Sequence, residues 1–390
     1  MKTLHILFAG GGTAGHINPA IAVATHIKNL HSNAKISFIG NSSGMEAKLA
    51  PLSGFDFYGI NVAGFQRKVT PKNIARNMSA AVKVFTSSAE AKKWLKELKP
   101  DVVVGTGGYV SGPVVRQAYK LNIPTIIQEQ NALPGVTTKI LAQKVDAVLL
   151  AMPDATKHLK CKHPPIITGN PVRAEVIDQT KEAARKALGI TDEKPIILSM
   201  GGSLGAHKIN KAMVGVVSQH AKLEKYHHYH SAGRYGIKWF SQDCKENGAN
   251  LEKFNHIHVS EYINNMADVM NAADLIISRA GAITLSEIRA CGKASILIPS
   301  PNVAENHQFH NALALAKQGA AVVIEEADLT PNLLANKVLE ILDNNEKRLA
   351  MEQASKDGAI LNSNEKIYKV IIGLIKSKDN SPPPKLKDYY

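Results

Sequence analysis

Four glycine-rich turns carry the chemistry that this sequence offers most plainly. They read Gly10-Gly11-Gly12-Thr13-Ala14-Gly15-His16, Gly105-Thr106-Gly107-Gly108-Tyr109, Gly201-Gly202-Ser203-Leu204-Gly205 and Arg279-Ala280-Gly281-Ala282-Ile283-Thr284. A phosphate approaches backbone N–H groups closely only where no side chain intervenes, and a helix N-terminus adds unsatisfied donors at the positive end of a dipole. Glycine turns that open helices are therefore anion sites. A single such turn can equally serve tight strand-to-helix packing, but four in one chain favour a ligand with several phosphates. In the last of them Glu287 falls in the first helical turn, where a carboxylate either clasps a ribose diol or simply answers the helix dipole.

Gly10-x-Gly12-x-x-Gly15 matches the dinucleotide fingerprint literally, so a nicotinamide enzyme has to be tested. Such an enzyme needs an acid about 20 residues on, at the end of the second strand, to hold the ribose. Here the segment Lys35 to Ile39 ends in Gly40-Asn41-Ser42-Ser43, and the first acid is Glu46. The dehydrogenase reading fails on that residue. The run Tyr226-His227-His228-Tyr229-His230 invites a metal reading, but strand alternation sends His227 to the face opposite His228 and His230. A strand is the better reading.

These turns need strands and helices to hold them. The chain has 390 residues, 44% hydrophobic and only 5% aromatic, enough for two cores of ordinary domain size. Short Ile/Val/Leu/Ala runs, each ending in glycine, read as parallel strands feeding helices: Leu4 to Ala9, Asp101 to Val104 as a third strand, Ile196 to Met200 and Asp274 to Ser278. The pattern G-G-[TS]-x-G occurs once in each half, which predicts two similar α/β lobes with a cleft between them. The expected division is 1–168 and 169–355, then a helix over 356–376 returning to the first lobe, and a disordered tail over 377–390. Three distant cysteines, Cys161, Cys244 and Cys291, indicate neither a disulfide framework nor a zinc site.

The formal charge of +14 implies an anionic partner. Half of it lies between Asn61 and Lys99, where nine basic residues face two acids. Ile74, Met78, Val82 and Phe85 form an apolar helical stripe there, beside Lys72, Arg76 and Lys83, suited to an anionic leaflet or to packing inward. No run approaches the roughly 18 residues of a membrane span, and the amino terminus reads as a strand rather than a leader. Without a helix-turn-helix, zinc finger or aromatic RNA motif, no nucleic-acid partner is expected.

Several stretches together resemble the MurG-type N-acetylglucosaminyltransferases of peptidoglycan synthesis. They are Gly11 to Pro19, Gly107 to Pro113, Glu129-Gln130-Asn131, Gly169 to Arg173, Gly201-Gly202-Ser203, Arg279 to Ala282, and His307-Gln308 before Asn311-Ala312. The resemblance runs to about Ile375. It implies the GT-B fold, two Rossmann-like parallel-sheet lobes with an interlobe cleft. It further implies inverting transfer from UDP-N-acetylglucosamine to lipid I, giving lipid II, at the cytoplasmic face of the membrane as a peripheral enzyme. By residue it implies donor contacts from Arg173, Ser203, Ile263, Ala282, Ile283, Thr284, Leu285, Ser286, Glu287 and Gln308. Thr13, Ala14, Gly15 and Asn131 would reach the sugar from the first lobe, whose glycine turns would hold the acceptor pyrophosphate. Leu204 stands where many members carry Gln, and Gln128 where a His often precedes Glu-Gln-Asn, so position 128 has no catalytic histidine.

Inverting transfer needs a base for the acceptor hydroxyl and stabilisation of the departing UDP. His16, an imidazole just after the first glycine turn, is the first candidate base and Glu129 the second; His16 would otherwise hold the acceptor's pyrophosphate. No Asp-x-Asp spacing occurs, so neither a metal nor a cofactor is expected. An epimerase of the same donor, or a transferase to another acceptor, is the alternative.

Overall fold

The computed structural model describes residues 3–62 and 86–378. The stripe at Ile74, Met78, Val82 and Phe85, five of the nine basic residues around it, and the tail beyond residue 378 lie outside the described residues. By internal packing the chain divides into two units, Met1–Pro171 together with Asn362–Tyr390, and Val172–Leu361.

The first unit is built on β1 (His5–Gly10), β2 (Lys35–Asn41), β3 (Asp56–Ile60), β4 (Val102–Gly107), β5 (Thr125–Glu129), β6 (Ala147–Leu150) and β7 (Ile166–Ile167), in the spatial order β3-β2-β1-β4-β5-β6-β7. The second carries β8 (Ile196–Met200), β9 (His227–Ser231), β10 (Ile257–Ser260), β11 (Leu275–Ser278), β12 (Ala294–Leu297) and β13 (Ala321–Val323), in the order β10-β9-β8-β11-β12-β13. The central pairings, β1 with β2 and β4 and β8 with β9 and β11, are parallel. Central strands such as β1 are buried along their whole length, which is why they read as unbroken apolar runs rather than alternations. Asp101 to Val104 therefore belongs to the fourth strand, not the third. The strand before it, Asp56–Ile60, lies at the sheet edge with a half-exposed pattern, and its aspartate and glycine conceal it from a search for apolar runs.

In both sheets the strand order reverses beside the first strand, between β1 and β4 and between β8 and β11. The turns at the carboxyl ends of these strands are where an open parallel sheet takes its ligands, and all four glycine turns sit there.

The helices that matter for the site are α1 (Ala14–Leu30), α2 (Glu46–Leu52), α3 (Gly108–Lys120), α4 (Val136–Leu141), α5 (Ala282–Ala290) and α6 (His307–Ala316), with α7 (Ser363–Lys378) last. On α7, Ile367, Val370 and Ile371 fall at i, i+3 and i+4 and are buried in one cluster with Phe8, Ile17 and Phe38 of the first unit. Each contributes about 1.5–3 kcal/mol on burial. Tyr368 adds a hydrogen bond to His31 Nε2 at 2.6 Å. The last described helix thus packs on the unit in which the chain began, with α7 starting at Ser363 and running two residues into the expected tail.

Candidate active site

In the first unit, the turn after β1 leads through Thr13 into α1. Thr13, Ala14 and Gly15 are exposed, and the N–H groups of Ala14 and Gly15 precede the first helical hydrogen bond, from His16 N to Thr13 O at 3.1 Å. They are open donors for an anion. His16 is half-buried, and its Nδ1 lies 3.1 Å from Gln130 Oε1. The turn after β4 makes room for this contact: a Cβ on Gly107 would lie 2.6 Å from His16 Nδ1, and one on Gly108 2.3 Å from Gly11 O. With φ of 103° and 76°, both positions need glycine on two counts.

Not every glycine here awaits a phosphate. Glu46, at the start of α2, is fully buried; its carboxylate accepts Gly12 N–H at 3.1 Å and Asn41 N–H at 2.9 Å. A Cβ on Gly11 or Gly40 would stand 2.2 or 2.4 Å from its atoms. Part of the first turn therefore houses an internal anion, and the N–H groups of Ala14 and Gly15 are among the donors left for a ligand.

Glu129 ends β5 and is buried. Its Oε1 accepts from Asn131 N at 3.1 Å and Asn131 Nδ2 at 3.0 Å, while Oε2 accepts from Gly135 N at 3.1 Å and Thr138 Oγ1 at 2.5 Å. The carboxylate ties the loop after β5 to α4 and fixes Asn131. Gln128, in place of histidine, donates to Asn170 Oδ1 at 3.1 Å.

In the second unit, α5 opens at Gly281, which has extended backbone and no side-chain cap. The first-turn N–H groups of Ile283 and Thr284 have no intrahelical acceptor. Leu285 is fully buried, and its N–H is bonded to Gly281 O at 3.0 Å, so both groups are committed within the helix. Ser286 Oγ donates to Ala282 O at 3.0 Å. Glu287, expected in the first helical turn, is the sixth residue of α5 and lies in its second turn; it pairs with Arg173, whose Nε donates to Oε1 at 2.8 Å. Two residues both expected to contact the donor thus hold each other. The guanidinium, 48% exposed, retains its outer N–H groups.

Ser203 and Leu204 are exposed at the tip of the turn after β8, which is closed by Gly205 N–H to Gly202 O at 2.9 Å. A Cβ on Gly205 would meet Ala232 O at 2.2 Å. Ile263 is buried. Gln308, on α6, accepts Ser300 N–H at 2.9 Å through Oε1. Arg279 donates to Ile298 O at 3.1 Å and Pro299 O at 3.2 Å and pairs with Glu326; it braces the turn from below. Burial pushes the Cys291 thiol up to about 12, which removes it as a nucleophile.

Gln130 carries no chemical signal of its own within Glu129-Gln130-Asn131, and Glu46 stands out in the sequence only as the first acid after β2. Apart from Gln128, two residues before Gln130, their partners are 24 to 114 positions away or are backbone groups, and no local pattern announces such contacts.

Among known proteins, the glycosyltransferase family 28 N-terminal domain matches residues 6–150 of this chain, and the C-terminal domain of the same family matches residues 196–370. A protein of Acetivibrio thermocellus named UDP-N-acetylglucosamine--N-acetylmuramyl-(pentapeptide) pyrophosphoryl-undecaprenol N-acetylglucosamine transferase is 41% identical over 375 residues, 96% of this chain and 99% of that protein. The crystal structure of Acinetobacter baumannii MurG superposes with a TM-score of 0.75 at 29% identity, covering 95% of this chain and 99% of that one. A UDP-GlcNAc 2-epimerase from Neisseria meningitidis gives a TM-score of 0.63 at 15% identity over 95% of this chain and all of that one, a likeness of fold alone.

Proposed function

The chain belongs to glycosyltransferase family 28, and from that premise we propose that it moves N-acetylglucosamine from UDP-N-acetylglucosamine to lipid I, forming lipid II with inversion at the anomeric carbon. The relative from Acetivibrio thermocellus carries the corresponding name at 41% identity over nearly its full length. The observation that carries the mechanism is the His16 imidazole, held through Nδ1 with Nε2 making no hydrogen bond among the described residues. Nε2 takes the proton of the acceptor hydroxyl as its oxygen attacks the anomeric carbon, and UDP departs from the opposite face.

The charge that develops on UDP is met by the first turn of α5 and the outer N–H groups of Arg173. Glu287, oriented by Arg173, accepts from the ribose hydroxyls; Ser203, Ile263 and Gln308 line the rest of the donor. Ala14 and Gly15 hold the acceptor's pyrophosphate beside Thr13 and Asn131. Glu129 positions Asn131 and takes no proton. This division requires no metal.

Glu287→Gln is expected to raise the KM for UDP-N-acetylglucosamine about 10- to 100-fold, the worth of a hydrogen bond to a charged group, with the acceptor KM unchanged. Steady-state titration of each substrate checks it, and equal changes in both constants would point to a general packing defect.

Lipid I is held in a bilayer by its polyprenyl chain, so the reaction takes place at a membrane surface. No helix among the described residues is long and apolar enough to cross one, and the +14 charge supports peripheral binding to an anionic leaflet on the cytoplasmic face.

The decisive experiment measures UDP release from UDP-N-acetylglucosamine with and without a lipid I analogue, in EDTA, with products identified by mass. Release that depends on the analogue and survives EDTA is expected. Conversion of the donor without the analogue would make the protein an epimerase on the same fold.

A further inference from the structure

We propose that Gln130 is a positioning residue that fixes the tautomer of His16, through a directional chain of buried amides running Asn170, Gln128, Gln130, His16. The inference rests on His16 as the base, and it follows from donor and acceptor accounting alone.

A glutamine side chain can be placed either way round unless its partners decide. Here they do. Gln130 Nε2 lies 2.8 Å from Thr106 O and 3.2 Å from Gln128 O. Backbone carbonyls only accept, so the nitrogen end of Gln130 must face them and Oε1 must face His16. That oxygen also only accepts, so the hydrogen at the 3.1 Å contact sits on His16 Nδ1. In the neutral ring the other nitrogen, Nε2, is then unprotonated. Nε2 has no hydrogen-bond partner among the described residues, and its lone pair is the one a base needs.

Two further bonds lock the direction. Gln130 Nε2 is 2.5 Å from Gln128 Oε1, so Gln128 must present its oxygen there and its nitrogen to Asn170 Oδ1, at 3.1 Å. Asn170 Nδ2 in turn lies 3.3 Å from Gln130 O. Gln128, Gln130 and Asn170 are 2–3% exposed, so water does not compete for these groups. Flipping any one amide would set donor against donor or oxygen against oxygen in a buried site, at the cost of unsatisfied polar atoms. Gly107 completes the device, since a side chain there would occupy the space between Nδ1 and the Gln130 oxygen. The Gln at position 128, where a histidine often stands, thus accepts from one amide and donates to the next, which a single neutral side chain can do only with an acceptor at one end and a donor at the other.

The test combines a spectroscopic readout with turnover in the full-length protein. Nitrogen-15 spectra of histidine-labelled wild type, with His16 assigned by its loss in His16→Ala, are expected to show Nδ1 protonated and Nε2 bare at a pH where the ring is neutral. Gln130→Met keeps the length of the side chain but replaces the amide oxygen with a thioether sulfur, only a weak acceptor. It is expected to move His16 toward a mixture of tautomers and to lower kcat on the order of 10- to 100-fold, with the KM for UDP-N-acetylglucosamine unchanged. Gln130→Glu retains an oxygen opposite Nδ1 and, with its other oxygen protonated to donate toward Thr106 O, is expected to keep the Nδ1–H signature. Should that variant not fold, Gln130→Met decides alone.

A wild-type His16 protonated on Nε2 would overturn the proposal, and so would a Gln130→Met protein that keeps both the Nδ1–H signature and wild-type kcat. A Gln130→Met protein that loses thermal stability and activity while its tautomer stays put would likewise reduce Gln130 to a packing role. If instead His16→Ala turns over normally, it is the base assignment that fails, and the tautomer result stands apart from it.

Discussion

His16→Ala is expected to lower kcat by about 10²- to 10⁴-fold, the usual worth of a positioned general base, while the KM for UDP-N-acetylglucosamine stays within about twofold. The split follows from where the groups lie. The proposed donor ligands Arg173, Ser203, Glu287 and Gln308 all belong to the second unit, and His16 to the first. Removing the imidazole takes away a proton acceptor used only as the acceptor oxygen attacks, which affects the transition state rather than the bound donor. Single-turnover measurements with a lipid I analogue, followed by donor titration, check both halves. Near-normal turnover would remove His16 as the base and leave it as a contact to the acceptor's pyrophosphate. An increase in acceptor KM with kcat preserved would identify that second role directly.

Much of this molecule was legible because parallel sheets advertise themselves. A strand covered on both faces has to be apolar throughout, and a glycine turn has to follow wherever a helix starts close to a strand. Both signals recur in each half of the chain, so the two-sheet architecture and the placing of the four turns could be read from apolar runs and glycine spacing. The edge strand Asp56–Ile60 was not legible, because a half-exposed strand of five residues has no comparable pattern.

The site was legible in its ligand-facing backbone and much less so in what lies beneath. Gly11, Gly40, Gly107 and Gly108 look alike in sequence. In the structure the first two make room for the Glu46 carboxylate and the second two for the His16 ring and the turn beside it. Nothing local separates an internal anion from an external one. Arg173 and Glu287, 114 positions apart, become partners only once the second unit has folded. Gln130 acquires meaning only when β4, β5 and α1 bring Thr106, Gln128 and His16 to its two ends.

The histidines of β9 lead to the other large effect, a loss of stability in mild acid that begins in the second unit. His228 and His230 are fully buried in the strand, and His220 packs beside them with its Nδ1 3.1 Å from His228 Nε2. His220 Nε2, His228 Nδ1 and His230 Nε2 have no hydrogen-bond partner among the described residues, and His230 Nδ1 meets Ser199 Oγ at 2.8 Å. Desolvation lowers all three: His230 to about 3, His220 to about 4, and His228 well below the ordinary value. Around His220, Lys225 acts in the same direction and Asp343 against it; around His228, the neighbouring His220, His256, His230 and His227 deepen the effect. A folded-state value below the unfolded one means that the unfolded chain binds more protons. The stability is therefore fully present above about pH 6.5 and is lost progressively as the pH falls toward the folded-state values of about 4 and 3. By pH 5, His220 and His230 each give up about 2 kcal/mol, and His228 adds to the loss. Denaturant unfolding at pH 7 and pH 5 checks this. Carboxylates at their ordinary values stay mostly ionised across that interval, so the histidines dominate the change. His230→Phe, which keeps a ring in the place now stacked on Phe240 at 4.3 Å, is expected to reduce the difference between the two pH values by about 2 kcal/mol. A variant that retains the whole difference would show that the proton enters elsewhere.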